Sequence, residues 1–199
     1  MSAILLSNII NAQENGMNIG LKVGANYSNV YDSKGEQFTS DAKLGLAAGA
    51  FLDIPLGSFL GIQPEILFSQ KGYKGKGTVL GSSYSLTRTS NFIDVPLFLE
   101  IKPVSFLTLL VGPQYSYLLK QKDVFDNGAL TFEQEKVFNN SNLRKNILCF
   151  VAGVDINLSR VTVGARAGWD IQNNNGDGSS SAPRYKNAWV QATLGFRIL

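Results

Sequence analysis

The sequence predicts an all-β chain, an eight-stranded antiparallel up-and-down transmembrane β-barrel of the outer-membrane type. Three observations predict it. Apolar residues recur at every second position through long segments, the period of a strand with one oily and one polar face. The connections between these segments are short and long in strict rotation. Aromatic residues on the apolar side, Tyr27, Phe68, Tyr115, Tyr117 and Trp169, gather near the long-loop ends, where rings sit at headgroup depth.

The strands follow in order from about residue 17 to 199. The first sets Ile19, Leu21, Val23, Ala25 and Tyr27 against Gly20, Lys22, Gly24 and Asn26. The second, Lys43–Ile54, sets Leu44, Leu46, Ala48 and Leu52 against Lys43, Phe51 and Asp53. The third opposes Leu60, Ile62, Ile66 and Phe68 to Gln63, Glu65 and Ser69, with Lys71 continuing its polar side. Asn91–Ile101 and Thr108–Leu119 form the fourth and fifth, the fourth setting Val95, Leu97 and Leu99 against Asp94 and Glu100. The sixth opposes Leu148, Phe150 and Val154 to Gly153 and Asp155. The seventh, Val161–Ile171, opposes Val163 and Trp169 to Arg166 and Asp170, and the eighth, Ala188–Ile198, sets Leu194 and Phe196 against Gln191, Thr193 and Arg197. Tight turns fall at Pro55–Ser58, Lys102–Ser105 and Leu158–Arg160, and long loops at 31–42, 73–83, 121–145 and 173–187.

Alternation alone is shared with a soluble lipocalin-like barrel that turns its apolar face inward onto an apolar ligand. The loop asymmetry, the aromatic placement and the glycines of the polar face (Gly20, Gly24, Gly45, Gly49, Gly61, Gly153, Gly164 and Gly168) favour the lipid-out arrangement, because small residues relieve crowding in a narrow bore. The polar face is then the lumen. It carries Lys22, Lys43, Lys71, Arg166 and Arg197 with Asp53, Glu65, Asp94, Glu100, Asp155 and Asp170, and charges of both signs in so narrow a space are expected to pair and plug it. A narrow pore or transporter for small solutes is the alternative use of the same charges.

Composition sets further bounds. The net charge is +3 with no basic run, so nucleic-acid binding has no electrostatic footprint. No run of about 18 apolar residues exists for a membrane helix. Cys149 is the sole cysteine and reads as a small buried hydrophobe. Histidine is absent, which removes the histidine-based triads and dyads of barrel enzymes. Asp94 with Glu100, or Asp53 with Glu65, remain formal acid–base pairs, yet pairing with luminal lysine and arginine is the simpler role. Asn173–Gly178 echoes a calcium loop but places Arg184 where a bidentate glutamate is needed, so no metal or cofactor is expected. Ala3–Ile10 followed by Asn11-Ala12-Gln13 reads as a signal-peptide remnant over 1–13, without its basic beginning and with the bulky Ile10 at the −3 position; a frayed apolar tail is the alternative.

Four motifs carry a family resemblance: Gly20-Leu-Lys-Val-Gly-Ala-Asn-Tyr-Ser-Asn29, Gln63-Pro-Glu-Ile-Leu-Phe-Ser-Gln-Lys-Gly72, Ile93-Asp-Val-Pro-Leu-Phe-Leu99 and Val111-Gly-Pro-Gln-Tyr-Ser-Tyr-Leu118. In this order they resemble the PorT-like outer-membrane β-barrel domain from about residue 18 to 199. The resemblance implies a barrel in the bacterial outer membrane and, from the namesake, an accessory role in protein secretion. The chain departs from the usual barrel-assembly signal by ending in Leu199 instead of an aromatic residue. The expectation is a monomeric, non-enzymatic barrel in outer-membrane lipid with both termini in the periplasm. The 25-residue loop at 121–145 is long enough to be functional, and its Phe125, Leu130, Phe132, Val137 and Phe138 favour a partly ordered hairpin. It either docks an envelope or secretion protein or covers the barrel mouth.

Overall fold

The computed structural model describes residues 16–32, 40–79, 82–126, 131–137, 144–174 and 185–198. Its elements are β1 (Asn18–Asp32), β2 (Ser40–Pro55), β3 (Leu60–Val79), β4 (Ser82–Val104), β5 (Leu107–Asp126), β6 (Thr131–Val137), β7 (Asn146–Leu158), β8 (Val161–Asp170) and β9 (Tyr185–Arg197). Eight of these close into a ring in the order β4-β3-β2-β1-β9-β8-β7-β5, completed by β4–β5 pairing. Every neighbouring pair is antiparallel. A closed ring leaves no unpaired edge in the hydrocarbon, the condition for a sheet to cross a bilayer.

The faces sort as the alternation requires. Along β8, Thr162, Gly164, Arg166, Gly168 and Asp170 are buried, while Val163, Ala165, Ala167 and Trp169 are exposed. Leu21, Leu44, Leu46, Ile66 and Leu194 all face outward, Leu44 at 69% exposure, whereas Lys71 inside is 1% exposed. This orientation excludes the soluble lipocalin-like alternative, whose apolar face would turn inward. The outward rings of Tyr27, Phe68, Tyr115, Tyr117 and Trp169 form a band around the upper end of the apolar belt.

The bore is not uniformly polar. Phe92, Phe98, Leu110, Leu118, Ile147, Cys149, Val151 and Trp189 form one buried apolar cluster on the inner face. Bulky rings inside so narrow a ring demand small neighbours: a Cβ on Gly168 would fall within the Trp189 indole, and one on Gly20 within the Phe51 ring.

The strands outrun the membrane. The segment 73–83, expected to be a loop, is strand on both sides of 80–81, and 121–145 begins as strand through Asp126. Hydrophobic alternation stops where lipid stops, but Ser82–Ser90 keeps strand-forming Ser, Thr, Tyr and Leu in alternation, so pairing continues without an oily face. β6 then pairs β5 from Asp126↔Thr131 to Lys120↔Val137, a hairpin standing above the ring. The short connections reduce to 56–59, 105–106 and 159–160, the last with Ser159 at φ 56°. The 1–13 segment, Leu130, Phe138 and the 175–184 part of the last loop lie outside the described residues.

The belt assignment has a direct test. Ala192 faces outward between Ala25 and Ala165 at mid-belt, with space for a long side chain. Ala192→Arg is expected to destabilise the barrel by about 2–4 kcal/mol in urea unfolding from lipid vesicles.

Candidate functional site

The luminal charges are arranged in tiers. In the middle tier Glu65 on β3 receives the Arg166 guanidinium of β8 in a bidentate pair, Nη1 to Oε2 at 2.6 Å and Nη2 to Oε1 at 2.8 Å. Lys22 of β1 donates to the same carboxylate at 2.8 Å, and Gln63 donates to it as well. Asp155 lies 3.6 Å from Lys22 Nζ and 3.5 Å from Arg166 Nη2. In the ring order β3 and β8 stand four places apart by either route, so the Arg166–Glu65 pair spans the full diameter of the bore. Such a fork-to-fork pair fixes both direction and distance between the walls it joins.

In the lower tier Lys102 Nζ sits 2.8 Å from Asp53 and 2.8 Å from Glu100, reaching back from beside the β4–β5 turn. Arg197 donates to Asn157 at 2.6 Å and approaches Asp53 at 3.9 Å. In the upper tier Lys71 pairs with Asp94 at 2.9 Å, and Ser116 donates to Asp94 at 2.6 Å. Asp170 accepts from the Asn187 side chain at 2.6 Å and from the Cys149 thiol at 3.2 Å, and the Lys71 charge acts on it as well. Lys43 lies at the upper rim, half-buried and opposite the inward Ser28 in the β1–β2 register, with its ammonium donating to the Leu44 carbonyl at 3.2 Å beside the β2 bulge between Ala42 and Ala47.

Aromatic faces complete the cation sites. Lys22 lies over Phe51 at 4.9 Å, Arg166 over Phe98 at 4.8 Å, and Lys71 over Trp189 at 3.7 Å. An indole or phenyl face offsets part of the lost hydration of a buried cation. The sequence carries this signal, since Phe51, Phe92, Phe98 and Trp189 all fall on the polar register of their strands.

Above the aromatic band, Arg88 of β4 makes a bidentate pair with Asp123 of β5, Nε at 2.7 Å and Nη2 at 2.8 Å. Arg88 also donates to the Tyr185 hydroxyl of β9, again four places round the ring. Burial pushes the nearby Tyr73 phenol well above its ordinary pKa, so it stays protonated. The cavity left among Tyr73, Arg88, Gln121, Arg144 and Tyr185 measures about 10 Å³, room for one water. Farther out, Phe125 stacks on Tyr84 at 5.3 Å, Phe132 stands opposite Phe125 in the β5–β6 register, and Val137 stands opposite Lys120.

The acid pairs weighed for chemistry are held apart. Asp94 sits with Lys71 and Glu100 with Lys102, while Asp53 and Glu65 belong to the lower and middle tiers. Among the described residues no cluster of three potential metal ligands occurs. Neither Lys102 nor Arg88 is legible as luminal, since one adjoins a turn and the other falls between the 73–83 loop and the strand that begins at Asn91.

Breaking the middle tier has a definite sign. Glu65→Ala leaves two buried cations short of their partner and is expected to cost about 3–5 kcal/mol in urea unfolding. Removing both ends in Glu65→Leu/Arg166→Met should cost less than Glu65→Ala alone, because no uncompensated guanidinium remains. The buried Cys149 should resist maleimide in the folded barrel and react only after boiling in SDS.

Comparison with known proteins follows the same architecture. The barrel of Ail, the attachment invasion locus protein of Yersinia pestis, in complex with the heparin analogue sucrose octasulfate, is similar at TM-score 0.52 and 13% identity, covering 92% of this chain and 99% of that one. Neisserial surface protein A is similar at TM-score 0.51 and 10% identity, covering 90% of this chain and 97% of that one. At such identity the likeness is one of fold alone. No curated protein sequence matches the chain. The profile of the outer membrane protein beta-barrel domain matches residues 11–176, most of the ring. With its closed antiparallel ring and outward apolar belt, the chain belongs to the outer membrane protein beta-barrel domain family.

Proposed function

We propose that the chain is a non-enzymatic outer-membrane barrel whose lumen is closed by its own side chains and whose work is done by the sheet outside the membrane. The observation that carries this reading is the Arg166–Glu65 pair across the bore diameter, backed by Arg88 reaching Tyr185 across the mouth. A bore crossed at two heights is a strut more than a path. The lack of histidine and the pairing of most luminal acids with cations support the non-enzymatic part.

The outer sheet is the remaining candidate for function. β3, β4, β5 and β6 extend beyond the aromatic band, braced by Arg88–Asp123 and by Tyr84 on Phe125. In this reading the tip around Phe125, Leu130, Phe132, Val137 and Phe138 docks an envelope or secretion protein, in line with the PorT-like resemblance. Ail, named for attachment and invasion, shares only the fold, so the docking reading rests on this chain's own extension. The tight connections lie at the end of the barrel shared by Asn18 and Arg197, which supports periplasmic termini, and the closed ring supports a monomer.

A photo-crosslinking residue at Phe132 in the native membrane is expected to trap one discrete protein adduct, lost on Phe125→Ser. Absence of an adduct from correctly inserted protein would reject docking by this tip.

A further inference from the structure

Above the ring β6 takes over the side of β5 that β7 holds below. β7 pairs β5 from Leu107↔Ile156 to Tyr117↔Asn146, and β6 pairs it from Lys120↔Val137 to Asp126↔Thr131. β8, the next strand round the ring, pairs β7 only as far up as Cys149↔Asp170. Among the described residues the sheet order therefore ends at β6, whose far edge, about 23 Å long, faces no strand. About half of its backbone amide and carbonyl groups are directed away from β5, because residues of an antiparallel strand bond alternately to one side and the other. Natural edges are commonly blunted by proline, by a bulge or by charge. Thr131–Val137 has no proline, and its pairing with β5 runs through every residue without a register shift, so charge is the device that remains.

That charge selects what can add to the edge. On the face shared with Lys122 and Val124, β6 places Thr131, Glu133, Glu135 and Val137, and on the other face Phe132, Gln134 and Lys136. Glu135 stands opposite Lys122 in the β5 register, whereas Glu133 stands opposite the uncharged Val124. Two copies of β6 paired antiparallel about Gln134 would set Glu133 against Glu135 twice, like charge against like, so the edge disfavours a second copy of itself. A strand with basic residues at alternate positions sets one beside each glutamate, and its intervening apolar residues fall beside Phe132 and Gln134. Given the docking role proposed above, we infer that β6 takes its partner by strand addition: the far edge of Thr131–Val137 pairs with an extended segment of alternating basic and apolar residues. Backbone pairing supplies the affinity, and the two glutamates supply the choice of segment.

The test uses the full chain in phosphatidylcholine nanodiscs, whose lipid carries no net charge, and a fluorescent peptide of alternating lysine and valine. Fluorescence anisotropy should show saturable binding, lost when every backbone amide of the peptide is N-methylated. Glu133→Lys, which leaves the Lys122–Glu135 register untouched, should weaken binding roughly 3–10-fold. A glutamate–valine peptide should reverse the order, preferring Glu133→Lys to the unaltered chain. In the native membrane the lysine–valine peptide should compete away the adduct formed from a photo-crosslinking residue at Phe132. No saturable binding, full binding by the N-methylated peptide, or indifference to Glu133→Lys would overturn strand addition. If the Phe132 adduct forms alongside any of those results, the docking role stands and only this mode is rejected. Absence of the adduct rejects the docking role and this mode with it, whatever the peptide does.

Discussion

The Glu65 carboxylate accepts from Lys22 on β1, Arg166 on β8 and its own strand neighbour Gln63, and the rest of the bore is arranged around that constraint. A chain that turns its apolar residues toward lipid must place its polar residues inside, and eight strands leave almost no water there to solvate them. Each luminal charge therefore needs a partner within the wall. The diametric pair satisfies two of the most costly groups at once and ties opposite walls together. Lys22 and Asp155 then close the local charge balance, and the Phe51 and Phe98 rings fill the space that water would otherwise take.

The same logic changes with height. Below the middle tier, Lys102 serves two acids from three strands' worth of wall, Asp53 on β2 and Glu100 on its own β4. Above it, Lys71 pairs with Asp94 between two rings and also feels the charge of Asp170, which in turn accepts from Asn187 and Cys149. Beyond the lipid the sheet no longer has to be oily on either side, so ion pairs and stacked rings take over its cohesion.

Much of this arrangement is legible in the sequence. Period-2 alternation assigns a face to nearly every residue between the aromatic band and the short turns, because a slip of one residue would turn the belt inside out. The luminal set of Lys22, Glu65, Asp94, Asp155 and Arg166 follows from that parity alone. Their partners do not, since the relative heights of residues on different strands depend on register and stagger around the ring. That Arg166 meets Glu65 across the bore is a property of closure. Lys43 keeps the luminal parity, opposite Ser28, but sits at the rim beside a bulge that parity does not foresee. Arg88 and Asp123 were hidden because the hydrophobic signal ends with the lipid, although the strand continues. Lys102 was hidden by its place beside a tight turn, from which a long side chain still reaches inward.

The proposal of a lumen crossed by Arg166 and Glu65 is tested most directly by single-channel recording of the purified chain in planar bilayers. The unaltered barrel should hold a flat baseline at neutral pH. Glu65→Gly/Arg166→Gly, provided it inserts and keeps its compact gel mobility, should produce discrete conductance steps. Reproducible ohmic steps from the unaltered barrel would contradict the account.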